Sequence, residues 1–202
     1  MTTQSGLTQF AENLRQEVLA LAESEDHEQM LSDSFVQSVF DSLSEAGEFE
    51  DPLVCYHRAT GIEVSGYSID EEEGRLDLFL AIHTNTTPPK TVTRQQVDVG
   101  FRRLRSFFDW CIKGSYIELE ESSPVFDMAS HIYQVRNELI KVRLCLLTDG
   151  RTTVDKLPED QSGELSFTRS LWDIVSLHRL DTSGRSRESI SVNFQERFGN
   201  SI

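Results

Sequence analysis

Basic residues are scarce in the first half of this sequence. Residues 1–89 carry only Arg15, Arg58 and Arg75 against 18 acids, a net charge of −15. Residues 90–202 carry 16 of each sign, so the formal charge of the whole chain, −15, comes from its first half. A surface so acidic repels phosphate, which argues against nonspecific nucleic-acid binding through that half. It leaves room for metal-dependent chemistry on nucleic acid, because carboxylates are the ligands that hold Mg2+. Cysteine is sparse too. Cys55, Cys111 and Cys145 are odd in number, far apart and set among apolar residues, which excludes a disulfide framework and a zinc ribbon. A reducing cytoplasm is the expected compartment. No apolar run approaches the ~20 residues of a membrane span. The start, Met1-Thr2-Thr3-Gln4-Ser5, lacks the basic and apolar stretches of a secretory signal, so no membrane partner is expected. There is no G-x-S-x-G elbow, Walker loop or G-x-G-x-x-G. Hydrolase triads, nucleotide-triphosphate motors and dinucleotide enzymes lose support accordingly. The five histidines, His27, His57, His83, His131 and His178, never fall three or four apart, so no local histidine metal site is indicated.

What is present reads as an ordinary globular chain of 202 residues, 38% apolar and 26% charged. Leu7, Phe10, Leu14, Val18 and Leu21 recur at helical spacing, and an acidic stretch from Glu23 to Gln29 follows. A capping box at Ser34-Phe35-Val36-Gln37 predicts the start of a second helix, which Gly47 stops. The period then changes. Strands are expected at Leu53–His57, at Ile62–Ile69 and, after the turn Asp70-Glu71-Glu72-Glu73-Gly74, at Arg75–His83. The third is apolar on both faces, the mark of a central strand with helices over it. Asn85 to Lys90 is a loop. A helix follows from Thr93, and Ser122-Ser123-Pro124 opens another whose stripe runs to Leu139. Val142–Thr148 is a buried strand and 151–164 a polar loop. A strand at Leu165–Leu171, a helix capped by Asp173 and a last strand through Ile190, Val192 and Phe194 complete the order. The reading is one α/β domain over 1–202: an N-terminal helix in 1–30, a core over 31–150 and a C-terminal extension over 151–202. Its mixed sheet is flanked by helices, similar to the restriction-endonuclease-like PD-(D/E)XK core in its order of helix, three strands, helix, strand.

The sharpest candidate for chemistry is the hairpin between the second and third strands. Asp70 ends one strand and Asp77 lies in the next, so a tight turn brings them together. Two such acids, with a lysine two residues after the second, hold Mg2+ and orient a water in a PD-(D/E)XK nuclease. The lysine position here is Phe79. Arg75 or Lys90 could substitute for it, and Glu48 or Glu50 could add a carboxylate. The candidate catalytic residues are therefore Asp70, Asp77 and Arg75, and the candidate metal ligands Asp70, Asp77 and Glu48, with Mg2+ as the cofactor. The alternative is a solvated turn in which Asp77 pairs with an arginine. Arg102, Arg103 and Arg105 beside Phe107, Phe108 and Trp110 form a second candidate, a basic aromatic face for nucleic acid. The aromatics fall on the apolar stripe, so a core helix whose arginines pair with the acidic half is the competing reading.

The stretch FVQSVFDSLSEAGEFEDPLVCYHRATGIEVSGYSIDEEEGRLDLFL, Phe35 to Leu80, resembles the N-terminal region of bacterial abortive-infection phage-resistance proteins, the AIPR family. FRRLRSFF at 101–108, ELEESSP at 118–124, LLTDG at 146–150, LWDI at 171–174 and the SGR-x-R-E segment at Ser183 fit the same pattern. The resemblance implies the N-terminal part of a longer protein and a role in phage defence. The partners it implies are other proteins of a phage-defence system or the C-terminal remainder. It carries over no catalytic residue. Two functions stand side by side: a Mg-dependent nuclease or nuclease-derived module acting on nucleic acid, and a non-catalytic interaction or scaffold domain.

Overall fold

A computed structural model describes residues 4–22, 28–154, 157, 160–162 and 165–185. The acidic stretch at 23–27 and the strand expected at Ile190 to Phe194 lie outside these. The elements run α1 (Gln4–Leu21), α2 (Glu28–Glu45), β1 (Leu53–Ala59), β2 (Ile62–Asp70), β3 (Arg75–Ile82) and α3 (Arg94–Ile112). A 3-10 turn (Ser115–Glu118) then leads to α4 (Pro124–Val135), β4 (Lys141–Thr148), β5 (Asp160–Ser162), β6 (Leu165–Trp172) and α5 (Ile174–Arg185). The strands form one mixed sheet in the order β1-β2-β3-β4-β6-β5. β1, β2 and β3 are an antiparallel meander, and β3, β4 and β6 are parallel. The three-residue β5 lies antiparallel on the β6 edge, inside the stretch read from sequence as a polar loop. A strand so short and polar carries no periodic signal.

β3 is central, as its two apolar faces require. Leu76, Leu78 and Leu80 pack with Val97, Phe101, Leu104 and Phe108 of α3 and with α4. Phe79 and Ala81 face the other way, into a cluster built by α1, α2 and α5. Local signals set the helix ends. Thr93 and Gln96 form a reciprocal capping box at α3, and Ser123 caps α4 with Pro124 behind it. Asp173 caps α5 by accepting from the Ser176 N–H at 2.9 Å. Its other oxygen takes the Thr152 N–H at 3.1 Å, tying the loop after β4 to that helix. α2 closes in a Schellman arrangement: Gly47 has φ +73°, its N–H reaches Ser44 O, and Glu48 N–H reaches Leu43 O.

Two helix boundaries differ from the sequence reading. α2 begins at Glu28, six residues before Ser34, because the stripe of Phe35, Val39 and Leu43 extends back to a buried Leu31. Burying another leucine outweighs an internal capping signal. α4 stops at Val135, and Leu139 is buried from the turn beyond it.

Gly66 of β2 lets that strand lie against α2. A Cβ there would sit 2.6 Å from Leu53 O and 2.8 Å from the Phe40 ring. Gly66→Ala should therefore cost about 2–3 kcal/mol of unfolding free energy in urea titration, because the nearest obstacle is backbone. A cost under ~0.5 kcal/mol would show that the approach is not as close as described.

Candidate functional site

The β2–β3 hairpin puts its polar residues on one face. Register pairs Ser68 with Asp77 and Asp70 with Arg75, so these four side chains share the face that α2 covers. The sequence expectation that Asp70 and Asp77 sit together on one face is met in that sense. Each carboxylate, however, is already engaged. Asp70 accepts the Glu73 N–H at 2.9 Å and an Arg75 guanidinium N–H at 3.0 Å. Arg75 also bonds Glu73, and its Nε lies 3.6 Å from Asp77 Oδ2.

Asp77 is 1% exposed. Its main partner is Arg143 on β4, which stands directly opposite in the parallel register. Arg143 grips both oxygens, Nε on Oδ1 and Nη2 on Oδ2, the latter at 2.6 Å. This is the bidentate fork that suits guanidinium to carboxylate. The Arg143 guanidinium lies 4.3 Å over the Phe49 ring, and its Nη2 also reaches Glu48 O at 3.5 Å. Burial works against the charge of Arg143. The hydrogen bonds and charge of Asp77 outweigh it and hold the group more firmly protonated than usual.

The remaining candidates fall elsewhere or enter differently. Glu48 meets the cluster through its backbone carbonyl, and Glu50 likewise accepts from Ser68 Oγ through its carbonyl. Lys90 is at the opposite end of the sheet, where its carbonyl takes the Arg151 N–H. Phe79, at the position of the motif lysine, is fully buried between Phe40 and Phe49, with ring centroids 4.7 and 4.9 Å away. Among the described residues, no three or more His, Cys, Asp or Glu are grouped to hold a metal ion. Arg143 is the residue that sequence reasoning missed. The only signal for it was a pair of bases, Lys141 and Arg143, alternating with apolar residues in a buried strand.

The chain matches, over residues 35–179, the model of the abortive infection phage resistance protein N-terminal domain. It belongs to that family. The role that membership gives is phage defence by abortive infection. The matched span of the AIPR domain takes in the whole sheet and both partners of the Asp77–Arg143 pair, and leaves α1 outside. No curated protein and no solved structure matches the chain.

The basic aromatic segment of the AIPR domain is part of its core. Phe107 and Phe108 are buried, and Trp110 stacks on His57 at 5.7 Å. Arg103 bonds Glu63 and Arg105 bonds Asp109, with the Arg105 guanidinium 3.7 Å over Phe167. All three cysteines are buried and free. Burial pushes the Cys55 thiol up to about 11 and Cys145 up to about 12, so neither is a thiolate near neutrality. No helix among the described residues is long and apolar enough to cross a membrane.

Proposed function

We propose that this AIPR domain is a nuclease-derived module whose hairpin acids bind arginine where a nuclease would bind Mg2+. Its element order, α2, β1–β3, the α3–α4 crossover and β4, supports descent from a PD-(D/E)XK core. The observation that carries the reading is the Asp77 carboxylate, buried and held in the Arg143 fork with Arg75 beside it. A divalent cation at that carboxylate would face two guanidiniums within ~4 Å, a like-charge contact of several kcal/mol in a partly dry site. The hairpin donor set therefore does not fit the metal, and Phe79 does not supply the motif lysine. On this reading the domain acts in phage defence by binding, as the docking part of a larger defence protein or assembly.

Calorimetric titration of the domain with Mg2+ and Mn2+ tests it. The expected result is no saturable site in the wild-type chain and none in Asp70→Asn, which leaves the Asp77–Arg143 pair in place. A single saturable site in the wild type that Asp70→Asn removes would overturn the reading and restore a metal centre at the hairpin.

A further inference from the structure

β2 and β3 pair only from Gly66↔Phe79 to Asp70↔Arg75, although β2 begins at Ile62 and β3 runs on to Ile82. Past Gly66 the strands part. β2 stays with β1 through His57↔Val64 and Ala59↔Ile62, after a register shift between Val54 and His57. β3 stays with β4 as far as Ile82↔Thr148. Ser65 Oγ, accepting the Ala81 N–H at 3.1 Å, marks the inner end of the gap. The gap is a cleft of about 610 Å3, roofed by α3 and closed on the other side by the start of α2. That volume is in the range of small-molecule sites. It opens at the carboxyl end of β3.

Charge in the cleft runs against the rest of the acidic half. Glu63 of β2, Arg58 of β1 and Arg103 of α3 all line it. The Glu63 side chain is 12% exposed and bonds Arg103 through Oε2. Its Oε1 accepts from Tyr56 Oη at 3.5 Å, and Arg58 Nη1 lies 3.9 Å from the same oxygen. One carboxylate stands against two guanidiniums, so the cleft carries one excess positive charge. The other two bases of residues 1–89 are held away: Arg15 on Asn85, and Arg75 at the hairpin. Arg58 is 60% exposed, lies beside the Tyr56 hydroxyl and stands beyond hydrogen-bond distance of Glu63, so N–H groups of its five-donor fork are left for another acceptor. Gln95 and Gln96, in the first turn of the 19-residue α3, line the same cleft and bring the positive end of that helix to it. Leu80, Ile82 and Val99 give it an apolar wall.

We propose that this cleft binds a small phosphorylated ligand of mononucleotide size, with Arg58 and Arg103 on the phosphoryl group and the Leu80–Ile82–Val99 wall against the ring. A nucleic-acid polymer fits less well, because the −15 half of the chain surrounds a cleft with one excess positive charge. The cleft opens at the far end of the same two strands, uses none of Asp70, Arg75 and Asp77, and does not depend on how the hairpin turn is read.

Calorimetry of the full chain with AMP, GMP, CMP and UMP, and with inorganic phosphate, tests it. At least one nucleotide should bind saturably, more tightly than phosphate. Arg58→Gln, at an exposed side chain, should weaken that binding about tenfold or more with an unchanged circular-dichroism spectrum. Asp70→Asn should bind like the wild type. Four nucleotides without saturable binding, equal affinity in Arg58→Gln, or phosphate binding as tightly as the nucleotides would each overturn the assignment.

Discussion

Asp77→Ala should lower the unfolding free energy by about 3 kcal/mol in urea titration, the low end for breaking a buried pair, because its partners keep some water. Asp77 is 2% exposed as a side chain, whereas Arg143 and Arg75 are 22% and 20% exposed. Removing the carboxylate strands the Arg143 guanidinium under α2, whereas Arg75 keeps Asp70 and Glu73. Asp77→Leu with Arg143→Met should recover most of the loss, since an apolar pair of similar volume removes the desolvation cost of both charges. A double variant as unstable as the sum of the two singles would show that the pair contributes through something other than mutual neutralisation.

Phe79→Lys, the change that would place the motif lysine two residues after Asp77, should abolish cooperative folding. Deleting a buried phenylalanine costs about 3–5 kcal/mol. An ammonium set between Phe40 and Phe49, beside an Asp77 already held by Arg143, adds several more. The total is comparable with the stability of an ordinary domain, about 5–15 kcal/mol. Circular dichroism through a thermal ramp reads the outcome, and a cooperative melt near that of the wild type would refute it. The same packing explains why the lysine is not recovered by one substitution: its position belongs to the interface between sheet and α2.

The elements legible in the sequence were those with local causes. The two apolar faces of Leu76 to Ile82 marked β3 as central, and Thr93, Pro124 and Asp173 marked helix starts within a residue. Ser34 misled because a capping box is weaker than the burial of Leu31. At the candidate site, the shared face of Asp70 and Asp77 followed from strand alternation and a short turn. What those carboxylates bind did not. Arg143 reaches Asp77 across 66 residues of chain through a parallel register that no local pattern encodes. The cleft was equally invisible, since it arises where two strands separate, and Glu63 in sequence is one acid in an apolar run.

The parallel pairing of β3 with β4 also orders events during synthesis. Ile82 and Thr148, partners at its far end, are 66 residues apart, with α3 and α4 between them. The meander β1–β2–β3 can close on itself as soon as it leaves the ribosome, because its turns are short. β3 then presents an unpaired, almost wholly apolar edge until α3, α4 and β4 have emerged. A strand that ends covered on both faces is the one a chaperone would find exposed on the nascent chain.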